Sequence, residues 1–284
     1  MSETSEVVEA PKRYKLSNQE FAKERITVIK EEVRALRASH PEVLSFCMFG
    51  SMATGTVKPE SDIDGYLFVD AAKAAAARNL NPAAIVETQK SEETGTPTTY
   101  FTEAVAAEYL LPLKEALKAK LSLSDEQVRH IRSRPISREI IDQQIESCLE
   151  QMRELERYKL AIAEFELNDP FDKPGYTEEE IQAYWASRPK HPPLPDVGTN
   201  LSAMFHLDIG GGIGEYRQYL LERLEQMGEI GERVWQVVIE DTEQMEQHLR
   251  TGTEVIYPRT LEQAKQVYGT STAQLNASRG VGNE

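Results

Sequence analysis

The most constraining feature of this chain is a short ordered pattern. Phe49-Gly50-Ser51 closes an apolar run, and ten residues later comes Asp62-Ile63-Asp64-Gly65. Two acids separated by one residue on an extended chain point to the same face, so Asp62 and Asp64 can converge on one divalent cation. The Gly50-Ser51 turn just upstream offers backbone N–H groups and a hydroxyl to a phosphate. Asp-x-Asp alone is common in solvated loops, and Gly-Ser alone is a turn. Here both fall within residues 43–70, between apolar segments 43–49 and 66–69 that read as two buried strands. The conjunction calls for an α/β core that holds metal and phosphate together.

The remaining sequence bounds what such a core can serve. A chain of 284 residues, 40% of them apolar, can bury a sizeable core. Its 32 Lys and Arg against 47 Asp and Glu leave a formal net charge of −15. That balance disfavours nucleic acid as a partner and supplies no basic stripe. It mildly favours a cationic small molecule as acceptor. Cys47 and Cys148 are the only cysteines and form no C-x-x-C pair, which argues against a disulfide framework or structural zinc. Residues 1–15 are polar and acidic, unlike a secretory signal, and no apolar run reaches the ~18 residues of a membrane span. The expected location is the cytoplasm, with no membrane partner.

Periodicity organises the chain into a mixed first half and a largely helical second half. Ser17 to Glu20 reads as a capping box opening a helix over residues 18–39. Residues 52–56 fit a short helix, 71–78 an alanine-rich one, and 103–120 another with Pro112 as a possible kink. Residues 81–99 read as a mobile polar excursion broken by Gly95 and Pro97. Ser137 caps a long helix running to about residue 167. Residues 168–200, with six prolines, read as an irregular connection interrupted by a helix over 177–186. Residues 201–209 fit strand or helix, and helical patterns follow at 215–227, 231–250 and 258–268. The run Gly210 to Gly214 lacks the spacing of a dinucleotide fingerprint or P-loop and reads as a flexible helix stop. The five histidines, His130 among them, show no metal-type spacing, and the basic residues 129–138 read as largely solvated.

The pattern around Gly50 and Asp62 resembles the signature of the nucleotidyltransferase superfamily of DNA polymerase beta: an apolar residue, Gly, Gly or Ser, a spacer, then Asp-x-Asp or Asp-x-Glu. The resemblance implies an α/β (α+β) fold with a nucleotidyltransferase-type mixed sheet and a largely helical C-terminal part, as in the minimal and antibiotic-type enzymes. The expected division is a disordered tail over 1–16, a catalytic domain over 17–137, a helical acceptor-recognition domain over 138–269 with the Pro-rich connection at 168–200, and a disordered tail over 270–284. Asp62 and Asp64 would be the catalytic residues and would hold Mg2+, two ions in the usual arrangement, while Gly50 and Ser51 would bind the nucleotide phosphates. The implied activity moves a nucleoside monophosphate, AMP from ATP or the equivalent from another nucleoside triphosphate, to a small-molecule hydroxyl or a protein side chain. Pyrophosphate is released. The superfamily also uses a third carboxylate on the next strand, for which Asp125, Glu126 and Asp208 are the candidates. With none of them in place, the alternative is an inactive nucleotide-binding regulatory or interaction module of the same fold.

Overall fold

The computed structural model describes residues 12–15, 20–54, 57–90, 96–167, 175, 177–244, 250–251 and 254–268. Its centre is a four-stranded mixed sheet in the order β6-β3-β2-β7. These strands are β2 (Val43–Met48), β3 (Gly65–Asp70), β6 (Ile131–Ile136) and β7 (Leu207–Ile209). β2 runs antiparallel to both β3 and β7, and β3 runs parallel to β6. Every residue of β2 and β3 is buried, as expected of central strands written as continuous apolar runs and covered on both faces.

The pleat divides those strands between two cores. Phe46, Met48, Leu67 and Val69 face one side, where α1 (Glu20–Ser39) and α4 (Glu103–Leu121) supply Ile29, Val33, Val105, Tyr109, Leu113 and Leu117. Leu44, Cys47, Tyr66 and Phe68 face the other. There they meet Ile141, Ile145 and Met152 of α6 (Arg138–Leu167), Leu220 and Leu224 of α9 (Gly214–Gln226), and Trp235 and Val238 of α10 (Glu229–Gln244). α8 (Thr199–Ala203) and a helix over residues 261–268 complete this layer. The helical second half therefore covers one whole face of the sheet. Only the first half of α6 takes part in it. Beyond Met152 its side chains are largely exposed, and α7 (Glu178–Ala186) folds back on that free end by stacking Tyr184 on Phe165, with ring centroids 4.2 Å apart.

Several expectations change. Residues 81–99 are not an irregular excursion: β4 (Val86–Lys90) and β5 (Pro97–Phe101) form an antiparallel hairpin. Its threonines and aromatics are the β-forming signal, and Pro97, read as a breaker, opens β5 opposite Lys90, while Gly95 lies outside the described residues. Residues 201–209 are both helix and strand, α8 followed by β7. Within the tail read over 1–16, Lys12–Lys15 form β1, which pairs with β9 (Glu254–Tyr257), itself paired with β8 (Arg250–Thr251). The capping residues 17–19 and the tail 270–284 lie outside the described residues.

The glycine run behaves as a packing turn. Gly212 lies so close to the Leu44 carbonyl that a Cβ would overlap it, and the Gly211 N–H donates to Asp208 Oδ1 at 2.9 Å.

Candidate active site

Asp62 and Asp64 are aimed by the residue between them. Ile63 is fully buried in the core beneath α1 and α4, so the flanking acids are turned the other way, towards solvent, each only partly covered. The loop that leads into them is tied down from two directions. Arg25, buried on α1, donates to the Ser61 carbonyl at 2.9 Å and also to that of Pro59. Gln127, on the short helix α5 (Asp125–Val128), donates to the same two carbonyls at 3.3 and 3.1 Å. Its own carbonyl receives the Ile63 N–H at 2.7 Å. Ser124 and Gln127 close a capping box that fixes α5 itself. The acids thus sit on a backbone held by charged and amide side chains from elements far away in sequence.

Gly50 closes the site from the β2 side. It opens the five-residue helix α2 (Gly50–Thr54) with φ +65°, and a Cβ placed on it would lie 2.5 Å from Asp64 Oδ2. Only glycine both adopts that conformation at no cost and leaves the carboxylate room. The Phe49 N–H donates to the Asp64 carbonyl at 3.2 Å, which ties the turn to the acid-bearing segment just before β3. Ser51 follows, half-buried.

Burial, and after it the neighbouring Asp62 carboxylate, pushes Asp64 above the usual carboxylate range, while His130 partly offsets the rise. Two acids that repel one another, one of them desolvated, form a pair whose charge a bound cation would offset. The structure brings that pair together with a residue sequence spacing did not single out. Ligand atoms of Asp62, Asp64 and His130 all lie within 4.8 Å of one another, and His130 Nε2 is 3.5 Å from Asp62 Oδ2. Among the described residues, this is the group that could hold a metal ion. The Gly50 cradle and an oxygen-rich donor set fit a divalent cation.

None of the three candidate third carboxylates joins the group. Asp125, 88% exposed, pairs with Lys118 at 2.7 Å, and Glu126, 75% exposed, pairs with Arg129 at 2.6 Å. Asp208 lies beside Cys47 on β7, where it accepts from Ser45 and Gly211 and pairs with the buried Arg217 at 3.3 Å. It closes the β7 turn instead of facing the metal pair. With burial, it also pushes the Cys47 thiol up to about 12, which leaves Cys47 an inert core residue.

The basic run is largely solvated, as expected: Arg129, Arg132 and Arg138 are exposed, Arg138 with its guanidinium over the Tyr219 ring. Arg134 is the exception, buried between the rings of Tyr66 and Tyr100, with centroids 4.5 and 4.6 Å from its guanidinium carbon. A cavity of about 650 Å3, lined by Glu225, Glu229, Glu232, Glu262 and Lys265, shares no residue with the acid pair. Trp185, on α7, stacks near Phe165 and touches none of the site residues described above.

Residues 26–132 match the family model of the nucleotidyltransferase domain. That span runs from within α1 into β6 and contains Gly50, Ser51, Asp62, Asp64 and His130. No curated protein and no solved structure matches the chain.

Proposed function

The chain belongs, through residues 26–132, to the nucleotidyltransferase superfamily, and from that footing we propose that it transfers a nucleoside monophosphate to a small-molecule hydroxyl or a protein side chain. AMP from ATP is the leading donor chemistry, with pyrophosphate as leaving group. The observation that carries the reading is the convergence of Asp62 and Asp64 beneath a glycine that has space for no side chain.

Asp62 and Asp64 would hold a divalent cation, Mg2+ in the family's usual case, which would supply charge neutralisation for phosphoryl chemistry. The chain's own groups do the positioning. Gly50 lets the backbone approach closely, and the Gly50-Ser51 turn offers its hydroxyl to the triphosphate. Arg25 and Gln127 keep the acid loop from relaxing, which matters because misplacing a reacting group by about 1 Å costs on the order of a hundredfold in rate. Residues 17–137 make up the catalytic part and 138–269 the acceptor-binding part, whose helices lie over the sheet face that carries Tyr66 and Arg134.

A second reading is favoured by one observation, the engagement of Asp125, Glu126 and Asp208 elsewhere. It is a nucleotide-binding regulatory module without turnover. Incubation with each nucleoside triphosphate, Mg2+ or Mn2+, and a cell extract separates the two. Pyrophosphate release that disappears in Asp62→Ala and Asp64→Ala supports transfer, and nucleotide binding with no release in any extract supports the module.

Among the described residues, no helix is long and apolar enough to cross a membrane.

A further inference from the structure

We propose that His130 is the third ligand of a mixed oxygen–nitrogen metal centre with Asp62 and Asp64, and that this centre selects a first-row transition dication such as Mn2+ over Mg2+. The inference rests on the reading of Asp62 and Asp64 as metal ligands. It goes beyond that reading in naming the third ligand and the class of ion.

The sheet register places His130. β3 and β6 are parallel with Gly65 opposite Ile131, and Asp64 and His130 are the residues that immediately precede this first pair on either chain segment. That is the position, at the start of the next strand, where the superfamily resemblance leads one to look for a carboxylate. β6 carries no acid, and the nearest two, Asp125 and Glu126, are turned outward onto Lys118 and Arg129. An imidazole fills the place.

The distances suit shared ligation. Two ligands at right angles around an ion, each about 2.1 Å from it, stand about 3 Å apart. His130 Nε2 and Asp62 Oδ2 are already 3.5 Å apart, and all three residues offer a ligand atom within 4.8 Å of the others. A movement of about half an ångström closes the difference for that pair, and separations up to the 4.8 Å limit close by at most about 1.8 Å, a distance that side-chain rotation spans.

Arg129 Nε donates to His130 Nε2 at 2.8 Å, so the ring nitrogen nearest Asp62 is already engaged by one cationic group. Arg129 is largely exposed and also paired with Glu126, so it can swing aside.

Ion selection follows from the donors. Mg2+ demands near-ideal octahedral oxygen coordination and dehydrates reluctantly. Imidazole nitrogen suits transition ions, whose affinities for nitrogen and oxygen donors rise along the first row. An Asp-Asp-His set thus costs Mg2+ a good ligand and supplies one to Mn2+ or Co2+.

The test is direct binding to the full-length, metal-free protein with no nucleotide present. Calorimetric titrations with MnCl2 and MgCl2 are paired with pulsed EPR of bound Mn2+, which detects coordinated 14N. The expected result is 14N coupling in the wild type that is absent in His130→Ala and His130→Glu. His130→Ala should also weaken Mn2+ by about tenfold or more while changing Mg2+ little, and His130→Glu should narrow the Mn2+/Mg2+ ratio by about tenfold. Mn2+ bound without 14N coupling, or unchanged Mn2+ affinity in a folded His130→Ala protein, overturns the proposal. If Asp64→Ala abolishes binding in that case, the reading of the acids survives alone. If the wild type binds neither ion, or Asp64→Ala binds like the wild type, both fall.

Discussion

Replacing Gly50 by alanine asks how much of the site depends on one missing side chain. Two costs are separable. The first is backbone strain: φ is +65°, and placing an L-residue there costs about 1–2 kcal/mol. The second is steric, since the new Cβ would fall 2.5 Å from Asp64 Oδ2, 3.3 Å from its Cγ and 3.4 Å from its Cβ. The obstructing atom is the tip of a side chain, so relief comes from rotating the carboxylate rather than moving β3. The stability loss should therefore stay close to the strain alone, a fall in Tm of roughly 2–6 °C for a chain of this size. The functional loss should be much larger, because the carboxylate turns away from Asp62 and an error of about 1 Å costs on the order of a hundredfold in rate. Gly211→Ala is the control, since its φ is +72° with nothing within 4 Å of an added Cβ. Thermal unfolding and pyrophosphate release are measured on both variants. The reasoning predicts similar Tm shifts but activity lost only in Gly50→Ala. Normal activity in a Gly50→Ala protein with the expected Tm shift would refute it.

The other predictions concern the same loop and its surroundings. Because Asp64 has a raised folded pKa, its contribution to stability is fully present below the unfolded carboxylate value and is lost as pH rises through the folded value. Metal-free Asp64→Asn should therefore equal or exceed the wild type in Tm at pH 7, with the advantage fading below about pH 4; a lower Tm at pH 7 contradicts the electrostatic account. Arg25→Ala removes charge-assisted hydrogen bonds to Ser61 and Pro59, each worth about 1.5–3 kcal/mol. It should cost about 2–4 kcal/mol in a denaturant titration and lower transfer activity, and a neutral effect on both would mean that Gln127 alone holds the loop. A divalent ion at one hundred times its Kd should stabilise the wild type by about 2.7 kcal/mol and leave Asp62→Ala unmoved, as read by Tm with and without metal. Trp185→Ala should leave nucleotide affinity unchanged, since Trp185 packs near Phe165 at the far end of α6. A tenfold loss would contradict that placement away from the nucleotide.

The parts of the site that were legible in the sequence are those fixed by local spacing. Alternation along an extended segment sets Asp62 and Asp64 on one face with Ile63 buried between them, although the segment lies just before β3 rather than on a strand. Gly50 was legible as a place of close approach, although the atom it avoids, Asp64 Oδ2, emerges only once β2 and β3 pair. The long helices α1, α4 and α6 were equally plain from their apolar periodicity. His130 was invisible because its place beside Asp64 depends on parallel pairing across more than sixty residues, which no local spacing encodes. Asp208 misled for the converse reason. As a strand residue it could face the metal, but Arg217 reaches it from another helix and holds it in the β7 turn. The hairpin β4–β5 was hidden by the exposed, polar strand β4, and the burial of Thr98 and Thr99 on β5, which packs against β6 and α8, is a property of the tertiary fold.

The central claim is tested most directly by following the label from alpha-labelled ATP and the other nucleoside triphosphates, with Mg2+ or Mn2+ and an extract as acceptor source. The account predicts that label moves into an acceptor with one pyrophosphate released per transfer, and that both signals vanish in Asp62→Ala and Asp64→Ala while those proteins keep the wild-type fold. Label that never leaves the nucleotide with any donor or ion, or that moves equally well without the two acids, would contradict it.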